Sequence, residues 1–91
     1  MHTVTINTIF RKKNKTELYQ TLESLKSAIK ANCKDLELKI SPDNNLLIKI
    51  TFENQESFEK NFFNNEFNIL KGTVRSLCDN VSIKVNGVNY S

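Results

Sequence analysis

The chain's 91 residues allow one domain and a modest core, and 38% hydrophobic and 25% charged residues with only 2 Gly and 1 Pro describe a globular protein. No run is long and apolar enough to cross a membrane. A net charge of +3 and a pI near 9.0 are too mild to indicate nucleic-acid binding by themselves.

The opening residues Met1-His2-Thr3-Val4-Thr5 lack the basic-then-apolar order of a secretory leader, so a cytoplasmic location is expected. The two cysteines, Cys33 and Cys78, form no CxxC pair. The only histidine, His2, falls at an end expected to be mobile. Neither a His/Cys metal site nor a nucleophile–histidine constellation can be assembled from this inventory. No cofactor is expected.

Thr3 to Phe10 reads as a strand, with Val4, Ile6 and Phe10 on one face and Thr5 and Asn7 on the other. The basic loop Arg11-Lys12-Lys13-Asn14 follows. A helix is expected from Asn14 to Cys33, with Asn14 as its cap and Glu17 completing a capping box. Leu18, Leu22, Leu25, Ile29 and Cys33 form its apolar stripe. Tyr19 lies off that stripe.

Leu36 to Ile40 and Leu46 to Phe52 alternate as two strands joined by the turn Ser41-Pro42-Asp43-Asn44-Asn45. Asn54 then caps a second helical region reaching about Asp79. Asn64-Asn65 is a weak helix former where it breaks or kinks. Phe58, Phe62, Phe67, Leu70, Val74, Leu77 and Cys78 supply its apolar side, and Phe63 falls off that stripe, toward a pocket or a partner. Val81 to Val85 reads as a fourth strand. Asn86-Gly87 is a hairpin signal, with Val88-Asn89-Tyr90 as a short return.

The order β-α-β-β-α-β predicts an α+β, ferredoxin-like domain over residues 1–91: an antiparallel sheet with two helices on one face. Val4, Ile6, Leu38, Ile48, Ile50, Val81, Ile83 and Val85 would meet the helices. Thr5, Asn7, Glu37, Lys39, Lys49, Thr51, Ser82 and Lys84 would face away. The two cysteines, each at the C-terminal end of its helix, would lie too far apart for a disulfide and pack as small hydrophobes.

The stretch Ile50-Thr51-Phe52-Glu53-Asn54-Gln55-Glu56-Ser57-Phe58-Glu59-Lys60, followed by Phe67 and by Leu70-Lys71-Gly72-Thr73-Val74-Arg75-Ser76-Leu77, resembles the antibiotic biosynthesis monooxygenase-like proteins, the dimeric α/β-barrel superfamily. The shared pattern is a strand ending in an aromatic, a short capped turn, and a helix interrupted near a Phe. The resemblance implies a homodimer whose two sheets face each other, and a cofactor-independent, monooxygenase-like activity or a small-molecule ligand. Heme-degrading members use an Asn on the first strand with a Trp and an iron-ligating His on the second helix; these positions fall at Asn7, Asn61 and Lys71. The chain has no Trp, and a protonated lysine is a poor iron ligand, so heme degradation is not expected. Other members place a His near Asn61 or Phe62, and it too is missing.

On this reading Asn7, Lys49, Asn61, Phe63 and Lys71 are the candidate ligand-binding residues, for a small hydrophobic or anionic ligand. Lys39 and Lys84 share the face of Lys49. Arg11, Lys12, Lys13 and Lys15 precede a helix without the glycine-rich loop that would cradle a phosphate. The alternative is a ferredoxin-like binding module whose lysine-bearing sheet face contacts a polyanion such as RNA, or a protein partner. Against RNA, that face offers no aromatic on which bases could stack.

Overall fold

The computed structural model of the chain describes residues 2–89. Its elements are β1 (His2–Phe10), a 3-10 turn (Lys12–Asn14), α1 (Lys15–Ala31), β2 (Asp35–Ile40), β3 (Asn45–Phe52), α2 (Gln55–Asn61), α3 (Asn65–Leu77), β4 (Cys78–Val85) and β5 (Val88–Asn89). The five strands form one antiparallel sheet in the order β2-β3-β1-β4-β5. The helices cover one face of it, as the alternation predicted. Tyr90, assigned to the return strand from the sequence, lies outside the described residues.

The core forms where the apolar face of the sheet meets the helical stripes. Val4, Ile6, Leu46, Ile48, Ile50, Phe52 and Ile83 from the strands close against Leu18, Leu22, Leu25 and Ile29 of α1. Phe67, Leu70 and Val74 of α3 complete the layer. The break falls at the predicted place, because Asn64 does better as a cap than as a helix interior. Its Oδ1 accepts from the Phe67 N–H at 3.1 Å, as the Oδ1 of Asn54 accepts from Ser57 N–H at 2.8 Å.

Four expectations are corrected. Asn14 does not cap α1 with its side chain. Residues 12–14 take a 3-10 turn, and the Asn14 Nδ2 donates instead to the carbonyl of Leu77, tying the start of α1 to the end of α3. Helix α1 stops at Ala31, and Cys33 lies in the following turn, only partly buried, its thiol 3.4 Å from the Asp35 carbonyl. Strand β4 begins at Cys78, three residues earlier than the alternation allowed. His2 belongs to β1, its ring 4.7 Å from that of Phe58 and 3.2 Å from the Asn86 amide.

The early start of β4 has a local cause. Asn7 pairs with Ser82, but Ile9 pairs with Asp79, so β4 carries one extra residue opposite Thr8. Asn80 absorbs it at φ 53°, in the left-handed region that asparagine tolerates. Thr8 is buried, and its hydroxyl donates to the Asp79 carbonyl at 2.7 Å, closing the bulge. The bulge changes the phase of β4. Even-numbered Cys78 and odd-numbered Ile83 are therefore both buried against the core.

Candidate functional site

The sheet face away from the helices carries the polar half of each alternation. Register makes it a grid. One row runs Glu37, Lys49, Thr5, Lys84; the next runs Lys39, Leu47, Asn7, Ser82. Lys49 and Lys84 thus flank Thr5, both exposed and neither in an ion pair among the described residues. Lys39 is satisfied by Glu37 at 3.0 Å. That bond first, and the charges of Lys39 and Lys49 with it, hold the Glu37 carboxyl below the usual carboxylate range. Asn7 is exposed on the central strand, and Ile9, 43% exposed, extends the face beside it.

Phe63 and Lys71 meet elsewhere, at the corner between α2 and α3. The Lys71 Nζ donates to the Phe62 carbonyl at 3.3 Å and stands 4.3 Å from the centre of the Phe62 ring and 5.0 Å from that of Phe63. Phe63, 52% exposed, packs edge-on against Phe62 at 5.5 Å. Below it Phe62 stacks on Phe58 at 5.0 Å. Loss of water in this corner pushes the Lys71 pKa below the ordinary lysine value, and Arg75 one turn on adds like-charge repulsion. The ammonium serves as a clamp on the interrupted helix, with two aromatic faces and a carbonyl as its partners.

Asn61 belongs to a third place. Its Nδ2 donates to the Ser57 carbonyl at 2.9 Å, and the residue lines a polar cleft of about 500 Å³ with Asn32, Asn54, Ser57 and Lys60. The five candidates therefore divide into Asn7 with Lys49, Phe63 with Lys71, and Asn61 alone. Of the basic loop, Arg11 is engaged by Asp79 through Nε at 3.1 Å and a second nitrogen at 3.2 Å. Lys12, Lys13 and Lys15 are exposed, and Lys15 lies 5.9 Å from the ring of Tyr19. Among the described residues no three His, Cys, Asp or Glu side chains gather as a metal would require. Thr8 and Lys84 are the residues whose importance sequence reading understated. For Thr8 a signal existed, since it occupies an inward position of β1.

This β-α-β-β-α-β chain, with its strand order, helices on one face and second helix interrupted before a phenylalanine, shares its fold with solved structures, among them one of an antibiotic biosynthesis monooxygenase. A solved structure of an antibiotic biosynthesis monooxygenase superposes with a TM-score of 0.80 at 8% identity, over 93% of this chain and 95% of that one. The protein Rv0793 of Mycobacterium tuberculosis gives 0.80 at 15% identity, over 92% and 90%. A Bacteroides thetaiotaomicron protein of unknown function gives 0.80 at 12% identity, over 98% and 96%. At these identities the likeness is one of fold. No protein-family model and no curated protein matches the sequence.

Proposed function

We propose that this chain, as one ferredoxin-like domain, forms a cytoplasmic homodimer of the monooxygenase-like barrel type and binds a small anion between its two facing sheets. The observation that carries the reading is the cross-strand row in which Lys49 and Lys84 flank Thr5, beside Asn7 and the partly exposed Ile9 and Leu47. A second sheet laid on this face would remove the two ammonium groups from water. Desolvated charges are costly unless matched, and an anion shared between the copies would match them. Asn7 is the amide that would orient it. Two free thiols among the described residues suit a reducing compartment. Of the five candidate residues, the proposal uses Asn7 and Lys49; Asn61, Phe63 and Lys71 stand apart from this face. With lysine at position 71 and asparagine at position 61, iron-dependent heme chemistry of the superfamily's kind is not part of it.

The test is the mass in solution by light scattering on a sizing column, followed by thermal shift with small carboxylates and inorganic phosphate. A dimer near twice 10.5 kDa whose melting point rises with an anion, and no longer rises in the Lys49→Gln/Lys84→Gln variant, supports the proposal. A monomer across the accessible concentration range overturns it. A monomer that binds single-stranded RNA with steep salt dependence would move the function to polyanion binding.

A further inference from the structure

Three asparagines hold a left-handed backbone: Asn44 at φ 65°, Asn80 at 53° and Asn86 at 53°. Asn86 alone of the chain's asparagines is followed by glycine. It ties the start of β1 to the turn after β4. The Thr3 N–H donates to Asn86 Oδ1 at 2.9 Å, and the Asn86 N–H donates to Thr3 O at 2.8 Å. The Asn86 Nδ2 lies 3.2 Å from Nδ1 of His2 and donates to it when the ring proton is on Nε2. Asn86 and Gly87, the latter at φ 83°, form the two-residue turn between β4 and β5. Both are exposed, and open space lies where a side chain on Gly87 would stand.

A side chain on the following residue crowds the approach of its backbone nitrogen to an asparagine's carboxamide carbon, and glycine does not. Asn45 and Val81 supply that crowding after Asn44 and Asn80. We infer that Asn86 is a site of spontaneous deamidation, held back in the folded chain by its bonds to Thr3 and His2. The Gly87 nitrogen gives up its proton and bonds to Asn86 Cγ. The bond from Cγ to Nδ2 breaks, and ammonia leaves. The five-membered imide then takes up one water. Opening at Cγ leaves aspartate; opening at the Asn86 backbone carbonyl leaves isoaspartate, in which the chain runs through the former side chain. Nothing is oxidised or reduced. Ring closure draws the carboxamide toward Gly87 and expels Nδ2, so the bond to His2 is lost and the bond to Thr3 disturbed. Both products weaken the junction. Aspartate still accepts from the Thr3 N–H but offers His2 no donor. Isoaspartate adds an atom to the backbone of a turn that pairs Val85 with Val88 and Lys84 with Asn89, and so uncouples β5 from β4. The chemistry is internal to one chain and independent of the ligand and dimer proposed above.

Peptide mapping by mass spectrometry in heavy-oxygen water follows the reaction in the full chain, since each conversion takes one oxygen atom from the solvent. Asn86 is expected to convert before any other asparagine. Native protein should convert roughly ten-fold or more slowly than urea-unfolded protein, because the junction must first open. His2→Phe keeps a ring against Phe58 but removes the acceptor for Nδ2. It should speed conversion of the native chain by roughly two- to ten-fold and leave the unfolded rate unchanged. Equal rates in native and unfolded wild-type protein overturn the inference, and that comparison stands even where His2→Phe fails to fold. So does earlier conversion at another asparagine. A His2→Phe variant with an intact melting transition that converts no faster than wild type overturns the restraint by His2.

Discussion

Phe62 is the residue on which the aromatic packing depends. Its ring is fully buried, stacked on Phe58, edge-on to Phe52 and Phe63, tilted against Phe67, and lies beneath the Lys71 ammonium. Truncation to alanine leaves a ring-sized void among groups that are themselves held by the helix break, so little collapse can refill it. Such cavities cost about 3–5 kcal/mol. At about 0.05–0.15 kcal/mol per residue, a chain of this length holds about 5–14 kcal/mol in all. Phe62→Ala should therefore lower the melting point by at least about 12 °C and move the urea midpoint without changing the slope. A double-mutant cycle with Lys71→Met, using Phe62→Leu to keep apolar volume, should show a coupling of about 0.5–1 kcal/mol from the ammonium–ring contact. A Phe62→Ala cost below about 1 kcal/mol would refute the central packing of this ring. A coupling of zero would refute the clamp.

The two asparagine roles can be told apart by aspartate, which accepts a hydrogen bond but cannot donate one. Asn64→Asp should be neutral in chemical denaturation because the cap survives, whereas Asn14→Asp should cost about 1 kcal/mol by losing its donor to Leu77 O; equal effects would contradict the assignment. Burial, before any other cause, raises the thiol pKa of both Cys33 and Cys78, with Asp35 and Asp79 adding to it. Neutral thiols are thus favoured in the folded state. Their contribution is complete below the ordinary thiol pKa of 9.0 and is lost as pH rises through the higher folded values. Iodoacetamide at pH 8 should accordingly label both cysteines more slowly in native than in urea-unfolded protein; equal rates at Cys33 would show an activated thiol instead.

What could be read from the sequence was what neighbours along the chain decide. The 41–45 turn, the alternation of β1 and β3, the stripe of α1 from Leu18 to Ile29 and the interruption at Asn64-Asn65 rest on local geometry, and each falls where expected. The departures arise where distant residues compete. Asn14 satisfies the local capping rule, but the Leu77 carbonyl, 63 positions away, takes its amide. Cys78 fits the helical stripe until Thr8 and Asn80 draw it into the sheet. The candidate site was legible as residue types, not as a place. Asn7 and Lys49 share the open face because strand parity puts them there. Lys71 is claimed by Phe62 and Phe63 through a helix break whose angle no periodicity encodes.

The extra residue in β4 bears on how this chain is compared with others. Residues before and after Asn80 count inward positions with opposite parity, so the strand is written in two reading frames. In an alignment without a single-residue gap to a protein that lacks the extra residue, the inward residues of one protein would be set on the outward residues of the other. Lys84 would then be matched with a core position and Ile83 with an exposed one. A scoring scheme that rewards hydrophobic-to-hydrophobic correspondence would mark β4 as unrelated, even where the two backbones follow the same path.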